Sequence, residues 1–157
     1  MKLSVIYQYG NIEMAKKIIK QLNDETELII YAKKTTNELK ALAAGNVRIA
    51  RKKDVVSEAK GNFVSFILAY DYVYDCYVKS LIDAITDDVD YIPIKWKYAH
   101  WHGFTFTGDH PIPYLFTNAY KRNLNIALDG FKINRKQLSK CVRGKPIDKI
   151  IYDHMGN

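Results

Sequence analysis

An aspartate at position 71 follows a short apolar segment, and it is the first place in the sequence where chemistry is expected. Residues 63–67 are aromatic and β-branched and come after a Gly-Asn turn, which predicts a buried strand. Asp75 is positioned to cap a helix that follows. Because open α/β sheets bind ligands at the carboxyl ends of their central strands, Asp71 is the leading candidate for a catalytic residue.

Alternating strands and helices must position this aspartate. Strands are predicted at 3–7, 27–31, 47–49, 63–67 and 89–93, and helices are predicted to begin near residues 12, 36, 52 and 75. This order predicts one α/β domain with a doubly wound, mostly parallel sheet. Beyond it we expect an aromatic-rich loop or hairpin at 95–115, weak helical spacing at 115–128, a helix at 134–142 and a last strand at 149–152.

The net charge of +7 over 157 residues is unevenly distributed. Both ends of the chain are basic and residues 61–94 are acidic, so the ends could attract a polyanion or simply form a solvated surface. No apolar run approaches the length of a membrane span, and we expect a cytoplasmic protein. Cys76 and Cys141 are too few for a disulfide framework and are expected to be reduced.

Several segments of the first 95 residues resemble the family 2 glycosyltransferases. LSVIYQYGN is similar to their opening strand, SVIIPTYN, and ELIIYAKKTTN is similar to their second strand and loop, EIIVVDDGSTD. The stretch ARKKDVVSEAKGNFVSFILAYDYVYDCYVKSLIDAI resembles ARNxGIxxAxGxYIxFLDADDxxxxxxLxxLxxxI, and DVDYIPI resembles the strand that follows it. The ending KPIDKIIYDHMGN is similar to the last core strand of short, phage-type relatives.

The resemblance implies a single GT-A-like domain, with residues 1–95 as its nucleotide-binding half and 96–157 as its acceptor-side half. It implies transfer of a sugar from a UDP-type nucleotide-sugar donor to an acceptor, with Mg²⁺ or Mn²⁺ held by a D-x-D motif. The residues of the matching loops are then expected to bind the donor: Tyr7, Gln8, Lys33, Lys34, Arg51 and Tyr70.

The sequence departs from the family at the positions that carry the chemistry. The family's DADD is replaced by residues 68–71, LAYD, so Asp71 is the one carboxylate left. The aspartate that reads the nucleobase in the family is replaced by Lys33. Because Mg²⁺ and Mn²⁺ need several oxygen ligands, Asp71 alone predicts a weak metal site.

Two interpretations follow from these departures. In the first, the protein is a divergent, metal-independent transferase in which Lys33, Lys34, Arg51 and Lys52 neutralise the donor's phosphates. In the second, it is a catalytically inactive relative that binds a nucleotide, a nucleic acid or a protein partner. The acceptor stays undefined, with nucleic acid and protein both open. The pairs Lys121-Arg122 and Arg135-Lys136 would suit a nucleic acid, or would form a solvated surface.

The general base and the acceptor side are expected in the second half of the chain. Residues 128–135 resemble the family's EDxDFNRR region, so Asp129 falls on its glutamate or, with a shift of one residue, on the catalytic aspartate; it could also be a turn aspartate. Trp96 and Trp101 are candidate stacking platforms on the acceptor side, with His102 beside them. The histidines at 100, 102 and 110 with Asp109 could instead be metal ligands or belong to a polar loop.

Overall fold

The computed structural model describes residues 1–51, 55–99, 105–108, 118–124, 128–129, 132–133 and 135–155. Its strands are β1 (Leu3–Gln8), β2 (Thr26–Tyr31), β3 (Val47–Ala50), β4 (Phe63–Ile67), β5 (Tyr72–Val73), β6 (Tyr91–Pro93), β7 (Trp96–Ala99), β8 (Thr105–Gly108), β9 (Asn118–Lys121), β10 (Leu128–Asp129), β11 (Lys132–Ile133) and β12 (Tyr152–His154). Its helices are α1 (Ile12–Ile19), α2 (Asn37–Lys40), α3 (Tyr77–Ala84) and α4 (Arg135–Leu138).

A six-stranded central sheet has the order β3-β2-β1-β4-β9-β6. Its first four strands are parallel, and β9 is antiparallel to both of its neighbours. The predicted mixed α/β fold with a mostly parallel sheet is therefore confirmed. The strand β9 comes from the second half of the chain and lies within the sheet built by the first half, so both halves contribute to one core.

The central strands are buried along almost their whole length because both faces of the sheet are covered. Every residue of β2 and β4 is buried, and two hydrophobic clusters lie on opposite faces. On one face, α1 packs its buried residues Met14, Ala15 and Ile18. As predicted, Asn11 caps this helix, and its side chain accepts a hydrogen bond from the Met14 amide at 2.8 Å.

A second sheet of four strands, β5-β12-β7-β8, lies beyond the carboxyl end of β4. Its middle strand β12 pairs antiparallel with β5 and parallel with β7. Within the segment predicted to be a loop or hairpin, 95–115, the described residues form the antiparallel pair of β7 and β8. This sheet joins the residues directly after Asp71 to the last described strand of the chain.

Four local predictions were wrong. The last strand, predicted at 149–152, is β12 at Tyr152–His154. The segment with weak helical spacing contains β9, because its residues complete the central sheet between β4 and β6. Residues 55–60 contain a single 3₁₀ turn, Val56–Glu58, where a short helix was predicted. Asp75 does not cap α3; the N-cap position is Cys76, and the Asp75 carboxylate pairs with Lys17 at 3.1 Å.

In the described part of the chain, no helix has the length and apolar character needed to cross a bilayer.

Candidate functional site

The carboxyl ends of four parallel strands meet at one edge of the central sheet. Gln8 at the end of β1 is in register with Tyr31 of β2, which is in register with Ala50 of β3. On the other side of β1, Tyr7 is in register with Ile67 of β4. The strand order reverses between β1 and β4, and open α/β sheets bind their ligands at such a switch point.

The loops after β1 and β4 pack against each other at this switch point. The side-chain oxygen of Gln8 accepts a hydrogen bond from the Ala69 amide at 3.1 Å. A Cβ atom on Gly10 would lie 2.7 Å from the Tyr70 nitrogen, so only glycine fits there without a shift of the backbone. Tyr70 has a φ of 69°, a conformation that is costly for a bulky residue. Its side chain is 62% exposed and stands at the mouth of the site.

Tyr7 holds the loop after β1 in place through its hydroxyl group. Its ring is fully buried, and its hydroxyl oxygen accepts hydrogen bonds from the amides of Gly10 and Asn11, each at 3.1 Å. Burial raises the pKa of this hydroxyl, while the two amide hydrogen bonds act in the opposite direction. Tyr7 and Gln8, both predicted to bind a donor, are therefore engaged with the protein's own backbone.

Asp71 is 4% exposed, and both of its carboxylate oxygens are engaged. The Oδ2 atom accepts the Tyr152 hydroxyl at 2.6 Å and lies 2.9 Å from His154 Nδ1, while Oδ1 accepts the Met155 amide at 3.0 Å. All three partners belong to β12 or to the residue after it. Asp71 therefore fastens the end of β4 to the last described strand.

Tyr152 and His154 are site residues that the sequence interpretation missed. They are two positions apart on β12, so strand periodicity places both side chains on the same face. The Tyr152 hydroxyl also accepts the Leu68 amide at 3.0 Å. Burial and the neighbouring Asp71 carboxylate raise the pKa of Tyr152 well above its ordinary value. The predicted last strand, 149–152, contains Tyr152 but ends before His154, so the period of two that links them could be read only if that strand were extended by two residues.

The cationic residues follow β2 and β3 at the same edge of the sheet. Lys33 and Lys34 are exposed in the loop after β2, and Arg51 is exposed directly after β3. The Arg51 Nε atom donates a weak hydrogen bond to Thr35 Oγ1 at 3.4 Å, which joins these two loops. The structure therefore brings together the cations that the sequence analysis named, apart from Lys52, which lies outside the described residues.

A divalent cation does not fit the residues that the structure describes. Mg²⁺ and Mn²⁺ need several oxygen ligands, but both Asp71 oxygens already accept hydrogen bonds from the protein. Within the described ranges, no group of three or more His, Cys, Asp or Glu side chains could hold a metal ion. The metal role predicted for Asp71 therefore has no supporting ligands in this part of the chain.

The predicted acceptor side is partly described. Trp96 is 4% exposed and belongs to the hydrophobic core, so its ring is not available as a stacking platform. Trp101 and His102 lie outside the described residues, as do the other members of the alternative metal set at 100, 109 and 110. The backbone of Asp129 pairs with Lys132 in the hairpin of β10 and β11.

One cleft lies at the carboxyl ends of the parallel strands, and a second lies at their amino ends. A cleft of about 390 Å³ opens beside Asp71 and is lined by Asn11, Met14, Tyr70, Asp71, Tyr72, Asp153 and Met155. A larger cleft of about 730 Å³ lies between α3 and residues 144–149 and includes the residues before β6. It is at the amino ends of the parallel strands, and its aspartates and lysines have mixed charge. The smaller cleft is the better candidate because it adjoins the switch point.

Comparisons with known proteins support the fold. No protein-family model matches the chain, and no curated protein matches it. Among solved structures, it is similar to residues 1–349 of S. aureus TarS in complex with UDP, with a TM-score of 0.67 and 15% identity over 100% of this chain and 61% of that one. The complex of TarS with UDP-GlcNAc gives a TM-score of 0.67 and 16% identity, covering 100% of this chain and 59% of that one.

A further crystal structure of S. aureus TarS 1–349 gives a TM-score of 0.65 at 17% identity, with coverage of 99% of this chain and 60% of that one. The chain thus spans about three fifths of the TarS fragments that it matches. At this identity the likeness shows the fold alone. The GT-A-like α/β fold with a mostly parallel sheet, which the sequence resemblance implied, is therefore confirmed.

Proposed function

We propose that this chain binds a nucleotide-sugar and transfers its glycosyl group to an acceptor without a divalent cation. The observation that carries the proposal is the grouping of Lys33, Lys34 and Arg51 at the edge of the sheet where the Asp71 loop lies. Structural neighbours with the same fold have been solved with UDP and UDP-GlcNAc, which supports a nucleotide-sugar as the ligand.

The cations would act on the leaving group. In the transfer, an acceptor oxygen forms a bond to the anomeric carbon, and the nucleoside diphosphate leaves with the electrons of the broken C–O bond. Ammonium and guanidinium groups stabilise the negative charge that grows on the diphosphate. Lys33, Lys34 and Arg51 supply three such groups, and their positive charges would take the place of the charge of a metal ion.

Asp71 and Asp129 have different roles in this proposal. The oxygens of Asp71 are held by β12 and Met155, so Asp71 acts as a positioning residue that fixes the loop carrying Tyr70. The acceptor's proton needs a separate carboxylate base within hydrogen-bonding distance, and Asp129 is the candidate. The acceptor is a hydroxyl compound whose class is open, with nucleic acid and protein among those to be tested.

Calorimetry tests the proposal directly. Titration with UDP and a panel of UDP-sugars, in EDTA and then in Mn²⁺, is expected to show binding in EDTA that Mn²⁺ does not improve. The Lys33→Glu/Lys34→Glu and Arg51→Glu variants should each weaken UDP binding by about tenfold or more, because each reverses charge beside the diphosphate. Lys140→Glu is the matched control, since Lys140 is exposed and lies close to β6, the outermost strand on the side of the sheet away from β2 and β3.

Release of UDP from the donor, measured with and without candidate acceptors, then tests transfer. Binding that depends strictly on Mn²⁺, or no binding across the donor panel, would contradict the proposal.

A second candidate function is supported by the engagement of Asp71. A protein that has lost all but one of the D-x-D carboxylates, and that uses the last one to hold a strand, could bind nucleotides without catalysis. UDP binding without UDP release for any acceptor would favour this alternative. Binding of RNA or DNA that falls steeply with salt would identify a nucleic-acid partner for the cationic loops.

A further inference from the structure

The larger cleft, of about 730 Å³, takes no part in the proposed transfer. One of its walls is the last turn of α3 together with residues 86–89, and the other wall is the segment 144–149. Its volume is in the range of clefts that bind ligands. Four of its lining residues are apolar and partly or fully buried: Ala84, Val89, Pro146 and Ile147. The cleft therefore offers an apolar surface beside a segment of irregular backbone.

The segment 144–149 is held against β6 before any partner binds. The Gly144 amide donates to the Tyr91 carbonyl at 2.7 Å, and the Ile147 amide donates to the Pro93 carbonyl at 3.2 Å. A Cβ atom on Gly144 would lie 3.0 Å from the Tyr91 oxygen, so the two backbones are in close contact. A wall that is fixed in this way costs little conformational entropy when a ligand binds to it.

The backbone of the same segment has unused hydrogen-bonding groups. Within the described part of the chain, the amides of Lys145, Asp148 and Lys149 donate to no acceptor, and their carbonyl oxygens accept from no donor. A backbone that is paired on one side and has free donors and acceptors left over is a template for an added extended chain. The cleft is therefore suited to a peptide in an extended conformation.

The acidic side chains of the opposite wall are already engaged with groups of the protein. The Asp83 carboxylate forms an ion pair with Lys79 at 3.1 Å. A hydrogen bond from the Thr86 side chain lowers the pKa of Asp88, and the positive charge of Lys121 acts in the same direction. Because both carboxylates have partners, this wall leaves little negative charge available to a ligand.

The lysines of the segment 144–149 are available to a ligand. Lys145 and Lys149 are exposed, and neither forms an ion pair with another described residue. Asp148 is the one acidic residue between them and is also unpaired among the described residues, so two lysines stand against one aspartate. Four residues of extended chain span about 13 Å, which is the spacing between two acidic side chains four positions apart in a peptide strand.

We propose that this cleft binds a short acidic segment of a partner protein in an extended conformation. The peptide backbone pairs with the free groups of residues 145, 148 and 149, and its apolar side chains pack against Val89 and Ile147. Its two acidic side chains lie beside Lys145 and Lys149. The inference goes beyond the proposed function, because this cleft shares no lining residue with the cleft beside Asp71.

Fluorescence anisotropy with labelled, amidated pentapeptides tests the charge and the orientation of the proposed occupant. The peptide EVTVE is expected to bind at least about tenfold more tightly than KVTVK at low salt, because its two charges have the opposite sign. Equal or tighter binding of KVTVK, or no binding of EVTVE, would overturn the proposal.

Backbone methylation of the same peptide tests the pairing. In an added strand, alternate amides face the protein, so N-methylation of the two valines and N-methylation of the other three residues should have different effects. One of the two methylated peptides should bind at least about fivefold more weakly than EVTVE, and the other should retain most of the affinity. An equal effect of both methylations would contradict strand addition.

Charge reversal in the protein assigns the effect to this cleft. Lys145→Glu and Lys149→Glu should each weaken EVTVE binding by about threefold to tenfold, and the double variant should prefer KVTVK. Lys40→Glu is the control, since Lys40 is exposed at the end of α2 and does not line the cleft. Affinities that are the same in all these variants would overturn the proposal.

Two further measurements test other occupants of the cleft. If N-acetylglutamate amide competes with labelled EVTVE as well as the unlabelled pentapeptide does, the cleft binds a small anion. If sedimentation shows a dimer that Lys145→Glu dissociates, a second copy of the chain covers the cleft. Either result would overturn the proposal, whereas a monomer that only the pentapeptide occupies would support it.

Discussion

The hydroxyl of Tyr152 lies 2.6 Å from Oδ2 of Asp71, although 81 residues separate the two in sequence. The same hydroxyl accepts the Leu68 amide at 3.0 Å, so one buried oxygen joins β12 to the loop after β4 at two points. This contact holds the backbone that presents Tyr70. The geometry of the candidate site therefore depends on a side chain that contacts no proposed ligand.

Replacing Tyr152 by phenylalanine should destabilise the protein by about 1–3 kcal/mol, because a buried carboxylate oxygen and a backbone amide each lose a partner. Urea unfolding measures this cost. Tyr70→Phe is the matched control, since it removes a hydroxyl from an exposed ring, and it should change stability by less than about 0.5 kcal/mol. Equal effects of the two variants would show that the hydrogen bonds of Tyr152 contribute nothing to the free energy of unfolding.

Stability should fall at alkaline pH, and Tyr152 should account for part of that fall. Its pKa is raised in the folded state, so above pH 10 the unfolded chain loses this proton while the folded chain keeps it. Its contribution to stability is therefore complete below pH 10 and decreases as the pH rises further. The slope for Tyr152→Phe between pH 10 and 11.5 should be shallower, by at most about 1.4 kcal/mol per pH unit. An unchanged slope would contradict the raised pKa.

A methyl group at Gly10 should damage the site more than a methyl group at Gly45. The new Cβ at Gly10 would meet the Tyr70 nitrogen at 2.7 Å and push the two loops apart. Gly45 has a φ of 60° and no atom within 4 Å of such a Cβ, so Gly45→Ala costs backbone strain of about 1–2 kcal/mol without a clash. Only Gly10→Ala should weaken UDP-glucose binding. Calorimetry measures this under conditions in which the same fraction of each variant is folded.

Glu27 should stabilise the fold without affecting the site. Its buried carboxylate accepts the Ser4 hydroxyl at 2.7 Å and the Lys60 amide at 2.8 Å, and it pairs with Arg48 at 3.1 Å. Glu27→Gln should cost about 1–3 kcal/mol in urea unfolding because an amide cannot accept all three donors. Because this cluster is near the amino ends of β1 and β4, nucleotide affinity should not change. A loss of affinity in folded protein would show that the two ends are coupled.

The parallel half of the fold could be predicted because its strands are local and apolar. The segments that became β1 to β4 are short, mostly apolar segments between turn signals, and each was located within one or two residues. The strand β9 could not be predicted in this way. Its four residues include the buried polar Asn118, and they are a strand because β4 and β6 leave a gap in the sheet that only another strand can fill. Pairing with neighbouring strands in the tertiary structure thus overrides the helical spacing of apolar residues in the local sequence.

The candidate site could be predicted as a location but not as a set of contacts. Asp71 was found because a carboxylate after a buried strand has a defined place in an α/β sheet. Its hydrogen bonds with Tyr152, His154 and Met155 could not be found, since they join residues more than 80 positions apart. Trp96 was predicted to stack on a ligand because of its type, but it is 4% exposed and belongs to the hydrophobic core.

The position of β12 between β5 and β7 has a consequence for how the molecule is completed during folding. The strands of the central sheet end at Lys121, whereas β12, the middle strand of the second sheet, is the last described strand of the chain. Until β12 docks, β5 and β7 each present an unpaired backbone edge, which is a template for association with another chain. Proteolytic removal of the segment from residue 150 onward would also remove the buried Ile151 and Tyr152 from the core, so it should leave a destabilised protein that is prone to aggregate and lacks an ordered ligand site.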